Sequence, residues 1–222
     1  MRKPTAATED YLKAILEIAL RNSKAVAPMG EIARVLNITP GTVTTMIRRL
    51  SDDGLLNYRP RVGCSLAPEG RRIALRTLRR HRILETFLVQ SLGMDWSEVH
   101  IEAEKMEHGV SDAVVDRLWA FLGRPACDPH GGIIPDQNLE TDESPTDRPL
   151  NEIRNGDKAV LTRLPDRSPD LLKTLRDAGL APGTAFVMER SSGTGSLRIV
   201  GPAGSVSFSL EVASVIRARP AD

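Results

Sequence analysis

The chain has 222 residues, 41% hydrophobic and 27% charged, more than one domain of about 100 to 150 residues needs, which suggests two or three small ones. It carries no apolar run near the roughly 18 residues of a membrane span and no apolar stretch behind its charged N-terminus, so a soluble, cytoplasmic protein with no membrane contact is expected. Two distant cysteines, Cys64 and Cys127, exclude a disulfide framework and a four-cysteine zinc site. The net charge of +1 conceals a separation: residues 1–82 hold 16 Lys/Arg against 7 Asp/Glu, whereas residues 83–222 hold 14 against 22. A basic N-terminal third points to a phosphate-bearing partner.

Helical spacing of Tyr11, Leu12, Ile15 and Leu16, with Thr8 as N-cap, predicts a first helix over residues 8–20. A short helix over 29–36 and a turn at 37–39 follow. Thr39-Pro40 then opens another helix, closed by Gly54, with Thr42, Thr44, Thr45, Arg48 and Arg49 outward and Val43, Met46, Ile47 and Leu50 inward. Two short helices joined this way make a helix-turn-helix, and the alternating segment 55–67 around Pro60-Arg61-Val62-Gly63 makes a wing. A long basic helix is predicted over 68–92, and a second from Ser97 to Leu122, closed by Gly123. Residues 124–150 hold five prolines and the run 141–147, a linker composition. Short strands are expected at 158–164, 185–190, 196–200, 205–210 and 214–218, interrupted by a helix from Pro169 to Ala178 with Ser168 as cap. That spacing suits a small SH3-like barrel.

Three of the four histidines lie on the two long helices. At about 100° per residue, His100, Glu104, Glu107 and His108 share one face, and His81 and Glu85 are an i, i+4 pair. Mixed imidazole and carboxylate donors suit manganese, ferrous iron, cobalt or zinc. At this level the same residues are also compatible with a solvated acidic helix face, and Trp96 and Trp119 read as core or dimer-interface residues. A metal-dependent helical-bundle hydrolase or oxidase, and a winged-helix regulator of a small organic ligand, remain as alternatives.

Four stretches carry a resemblance along essentially the whole chain: Thr8-Glu-Asp-Tyr-Leu12, Ile38-Thr-Pro-Gly-Thr-Val-Thr44, Arg80-His-Arg-Ile-Leu-Glu85 and Glu102-Ala-Glu-Lys-Met-Glu-His-Gly-Val-Ser-Asp112. In them the chain resembles the diphtheria-toxin-repressor family of metal-dependent transcriptional regulators, in its long, manganese-type form. The resemblance implies a mainly α N-terminal two thirds, a winged helix-turn-helix followed by a helical dimerisation domain, and a C-terminal all-β SH3-like barrel. The corresponding domains are 1–72, 73–150 and 151–222. It implies a homodimer without catalytic activity, bound to a palindromic operator in double-stranded DNA and controlling manganese or iron homeostasis genes.

The resemblance also implies ligands. A primary site would take Asp10, Glu104, Glu107 and His108, with His81 nearby; iron-type members have methionine in place of Asp10 and cysteine in place of Glu104. Short bacillus-type members build a two-manganese cluster with a further glutamate where Lys13 stands here. An ancillary site would take Glu85, Asp128 and His130, with His100 and Cys127 as further candidates and Asp166 and Asp170 as substitutes from the C-terminal domain. Mn(II) is the expected cofactor, Fe(II) the alternative, and Zn(II), Co(II) or Cd(II) surrogates. Arg48, Arg49, Arg59 and Arg61 would meet phosphate, while Thr39, Pro40, Gly41, Thr42, Thr44 and Thr45 lie nearer to base edges.

Overall fold

The computed structural model describes residues 4–22, 24–139, 147–190 and 196–221. Residues 141–146 of the acidic run and residues 1–3 lie outside the described residues. The chain forms two compact units, one of residues 1–81, 107–110 and 135–140, the other of residues 82–106, 111–134 and 141–222.

In the first unit, α1 (Ala6–Asn22) buries Leu12, Ile15, Leu16 and Ile18. Its cap is Thr5 rather than the expected Thr8: the Thr8 N–H donates to Thr5 Oγ1 at 3.2 Å. Next, α2 (Met29–Leu36) ends on Asn37 in the left-handed region, and α3 (Pro40–Asp52) opens on Thr39, whose Oγ1 accepts from the Thr42 N–H at 3.3 Å. Val43, Ile47 and Leu50 of α3 join Ile32 and the α1 residues in one core, each fully buried aliphatic side chain contributing roughly 1.5–3 kcal/mol.

The wing is the antiparallel pair β1 (Leu56–Arg59) and β2 (Gly63–Leu66). Ala27 exchanges both backbone hydrogen bonds with Cys64, adding a third edge. Gly63, at φ +138°, permits this, since a Cβ there would stand 2.3 Å from the Ala27 carbonyl oxygen. The first turns of α4 (Pro68–Leu92) complete the unit with Ala74 and Leu78.

The second unit holds the rest of α4, α5 (Val99–Met106), α6 (Asp112–Phe121) and a six-stranded antiparallel sheet of SH3-like type. Its strands are β3 (Arg148–Pro149), β4 (Lys158–Arg163), β5 (Ala185–Arg190), β6 (Ser196–Val200), β7 (Ser205–Ser209) and β8 (Arg217–Pro220), in spatial order β3-β8-β4-β5-β6-β7. Alternate residues point inward: Ala159 and Leu161, Phe186 and Met188, Leu197 and Ile199, Val206 and Phe208. The helix α7 (Pro169–Asp177) joins β4 to β5, and α8 (Leu210–Val215) joins β7 to β8.

Three sequence expectations change. The helix expected from Ser97 to Leu122 is two helices, because Gly109 weakens the middle and Ser111 starts a new N-terminus, its side chain accepting from the Val114 N–H. Glu107 and His108 therefore sit in a turn beyond α5 and do not share a helix face with His100 and Glu104. The strand expected at 214–218 begins only at Arg217, because Ser209 caps α8 by accepting from the Val212 N–H. Finally, the linker composition does not extend to residue 150: Arg148 and Pro149 pair with Ala218 and Arg217.

Candidate metal centres and nucleic-acid interface

The exposed face of α3 carries Thr42, Thr45, Arg48 and Arg49, with Thr44 half-buried. Thr44 and Thr45 donate their hydroxyl protons to the carbonyls of Pro40 and Gly41, four residues back. Thr39, Pro40 and Gly41 are exposed at the helix start, and Arg59 and Arg61 are exposed at the wing, Arg61 with φ 64°. A hydroxyl-rich helix start flanked by arginines is suited to a major groove bordered by phosphates.

A first cluster lies wholly in the first unit. α1 supplies Glu9, Asp10 and Lys13, α4 supplies Arg80 and His81, and the turn after α5 supplies Glu107 and His108. Ligand atoms of Asp10, Glu107 and His108 lie within 4.8 Å of one another. His108 Nδ1 is hydrogen bonded to Glu9 Oε2 at 2.7 Å, so its Nε2 faces Asp10 Oδ1 at 2.8 Å and Glu107 Oε1 at 3.6 Å. Glu9 is in turn 3.4 Å from Arg80. Glu107 is fully buried, with Lys13 Nζ 2.6 Å from Oε1 and His81 Nδ1 2.6 Å from Oε2.

Burial pushes the Glu107 carboxyl up, but the His81 hydrogen bond and the Lys13 and His81 charges outweigh it and hold it below its ordinary value. Burial likewise opposes protonation of His108, yet the Glu9 hydrogen bond and the Asp10, Glu107 and Glu9 charges leave its affinity for a proton raised. Two carboxylates and an imidazole converging on one point, with an outer carboxylate fixing the ring, fit a divalent cation of the manganese or ferrous kind.

A second cluster lies wholly in the second unit and joins Glu85 of α4 to the loop Asp128-Pro-His-Gly-Gly132, with ligand atoms again within 4.8 Å of one another. Asp128 Oδ1 accepts from the backbone N–H groups of His130 and Gly132, at 2.8 and 2.9 Å, and its Oδ2 lies 3.2 Å from Arg82 Nε. His130 Nε2 donates to the Trp96 carbonyl at 2.8 Å, leaving the buried Nδ1 facing Glu85 Oε2 at 3.5 Å with no hydrogen bond of its own. An imidazole nitrogen so placed beside two carboxylates becomes a ligand atom once it has lost its proton.

Both glycines are required in this loop. Gly131 has φ +84° and a Cβ there would meet the Thr162 carbonyl oxygen at 1.8 Å, while one on Gly132 would lie 2.4 Å from Asp128 Oδ2. Although burial opposes it, the Glu85 carboxylate beside Nδ1 and the Asp128 and Asp166 charges push His130 up to about 9. Burial and the Glu85 charge raise Asp128. Asp166, half-buried, is held below its ordinary value by His100, Arg167 and His130 despite its desolvation.

His100 is close to Glu85 at 3.2 Å and to Glu104 at 3.4 Å, and Arg167 donates to Glu104 at 3.1 Å. Glu104 thus belongs to the second unit, paired there with a residue of the loop before α7. His81 serves Glu107 as a hydrogen-bond partner. Cys127 is exposed, its thiol pushed up by partial desolvation and the Asp128 charge, and Asp170 is exposed in the first turn of α7. Neither is brought to a cluster. Glu9, Arg80, Arg82, Arg167 and the Trp96 carbonyl are absent from the sequence expectations; for Glu9 the adjacent Asp10 is a usable signal, for a backbone carbonyl there is none.

Three family models match in succession: "Iron dependent repressor, N-terminal DNA binding domain" over residues 3–64, "Iron dependent repressor, metal binding and dimerisation domain" over 67–136, and "FeoA domain" over 148–220. The iron-dependent repressor IdeR of Mycobacterium bovis is 30% identical over 228 residues, covering 95% of each chain. The regulator MntR of Lysinibacillus sphaericus is 34% identical over 115 residues, 52% of this chain and 81% of its own. A solved manganese-dependent transcriptional repressor in complex with manganese superposes with a TM-score of 0.85 at 33% identity, over 96% of this chain and all of that one.

Proposed function

We propose that this chain, which belongs to the diphtheria-toxin-repressor family of metal-dependent transcriptional repressors, is a manganese-responsive member. In this reading a cytoplasmic homodimer binds a palindromic operator when Mn(II) fills its clusters, and so controls genes of metal-ion homeostasis. The carrying observation is the donor chemistry: both clusters offer carboxylates and an imidazole, with no sulfur in either, and hard oxygen donors suit Mn(II) better than softer-ligand metals. The bound cation would supply the positive charge that lets clustered carboxylates remain together. Asp10 stands on α1, which packs against α2, and α2 packs against α3. Fixing Asp10 to Glu107 and His108 therefore biases the position of the helix-turn-helix, and by linkage operator binding tightens metal binding equally.

Ferrous iron is the second reading, favoured by the IdeR likeness over 95% of the chain; Zn(II), Co(II) and Cd(II) would act as surrogates. This reading divides the chain into domains of 1–72, 73–150 and 151–222, a division supported in order, though not in bounds, by family models over 3–64, 67–136 and 148–220. A dimer face is supported by large apolar side chains left exposed on the helices of the second unit, Leu92, Ile101, Val114 and Phe121, the last 73% exposed and seven residues from Val114 on α6. Operator retention measured anaerobically with Mn(II), Fe(II), Zn(II) or a chelator tests the reading. Retention driven by Fe(II) at lower free-ion concentration than Mn(II) would transfer the assignment to iron.

A further inference from the structure

We propose that Arg61 is a phosphate-contact residue that the wing carries at a cost to its own stability. The inference rests on the reading of α3 and the wing as the DNA-binding face. The Val62 N–H donates to the Arg59 carbonyl at 3.1 Å, closing a turn with Pro60 second and Arg61 third. Arg61 has φ 64°. Proline second and a positive φ third is the type II pattern, in which glycine or asparagine is the unstrained third residue. The Cβ of an arginine crowds the backbone there, and its long side chain has no short polar group to hydrogen bond the turn locally.

The other positive φ values have an evident basis. Among the described residues of 4–81 they belong to Asn37, Gly54 and Gly63, residue types that suit them. Beyond that range, Arg124 at φ 58° has its guanidinium 5.8 Å from the centre of the Trp119 ring, and Leu139 at φ 64° packs against the core of the first unit. Those two side chains gain contacts within the fold that offset the strain. Arg61 differs: it is exposed and, among the described residues, its side chain makes no hydrogen bond, ion pair or ring contact. Residues 55–67 contain Arg59 and Arg61 and no acid, so two like charges stand exposed on one wing. A polyanion is the partner that offsets both the unbalanced charge and the strained backbone.

The test uses the full-length chain and Arg61→Asn, Arg61→Ala and Arg61→Lys. Stability of the wing is read without DNA from hydrogen exchange of the Cys64 amide, which donates to the Ala27 carbonyl at 3.0 Å. Affinity is read by anisotropy on a random-sequence DNA duplex across a salt series in Mn(II). Arg61→Asn should slow the exchange by about threefold or more, whereas Arg61→Ala and Arg61→Lys, which keep the strain, should stay within about twofold of wild type. On DNA, the Asn and Ala variants should bind about tenfold more weakly or more at about 50 mM salt, with a slope flatter by about 0.9 for each phosphate released. Arg61→Lys should keep the wild-type slope. An Asn variant that exchanges as fast as wild type, or binds DNA as tightly, overturns the proposal. So does an Ala variant that slows exchange as much as Asn, since loss of charge rather than relief of strain would then be the cause. Wild-type protein without measurable affinity for the duplex overturns instead the reading of the DNA-binding face.

Discussion

Glu9 shows how a single side chain decides what its neighbours can do. It holds His108 through Nδ1 at 2.7 Å and so presents Nε2 to Asp10. Glu9→Gln keeps the shape but removes the anion, and should weaken Mn(II) binding at the first cluster by roughly 10- to 100-fold, as loss of outer partners of metal-bound histidines does; competition titration with unchanged helical circular dichroism checks this. At His130 the proton is the competitor. Its affinity is raised from 6.5 to about 9, so the imidazole is cationic at neutral pH and must lose a proton to ligate. Mn(II) affinity of the second cluster should therefore rise with pH until about 9, with proton release measurable by calorimetry in several buffers. Without metal the sign reverses: a raised histidine stabilises the fold fully below 6.5 and ceases to do so as pH rises through about 9. At this scale Glu107 and His108 stand out in the sequence by side-chain type, but grouped with His100 and Glu104 on a helix face that ends at Met106; Asp10 enters only through the family resemblance, and the Trp96 carbonyl carries no residue signature.

At the scale of elements, caps and glycines mark the boundaries. Thr39-Pro40 marks the start of α3 in the sequence, but the cap at Ser111 is hidden because apolar spacing continues on both sides of it, so periodicity alone yields one helix where there are two. Beyond that break Glu107 and His108 lie in a turn and belong to the first unit. In the proposed reading Arg48 and Arg49 on α3, and Arg59 and Arg61 on the wing, would meet phosphates while the threonines face base edges. Arg48→Ala or Arg61→Ala should weaken specific and nonspecific DNA binding alike and reduce the slope of log K against log salt by about 0.9 for each phosphate no longer neutralised. Thr44→Ala or Thr45→Ala should instead relax base preference with the slope nearly unchanged, as read by anisotropy on operator variants across a salt series. Gly131→Ala adds a Cβ that would stand 1.8 Å from the Thr162 carbonyl oxygen, at φ +84°. It should remove metal from the second cluster while sparing the first, at a stability cost of at least about 1–3 kcal/mol, checked by denaturant titration and metal stoichiometry.

For the whole molecule, charge separation and the succession of element types are readable from the residues alone, because period-two and helical patterns differ over most segments. The barrel's last strand is less so: the six residues of α8 bury little beyond Ala213, so their periodicity does not distinguish helix from strand. The central claim is that a cation at Asp10, Glu107 and His108 converts the chain into an operator-binding form. Its most direct test is fluorescence anisotropy of a labelled palindromic operator, titrated with the dimer in Mn(II) or in chelator, for the wild type and for His108→Ala. The account predicts that Mn(II) tightens wild-type binding by about tenfold or more and leaves His108→Ala at the chelator value; equal wild-type affinity in Mn(II) and chelator, or an undiminished response in the variant, would contradict it.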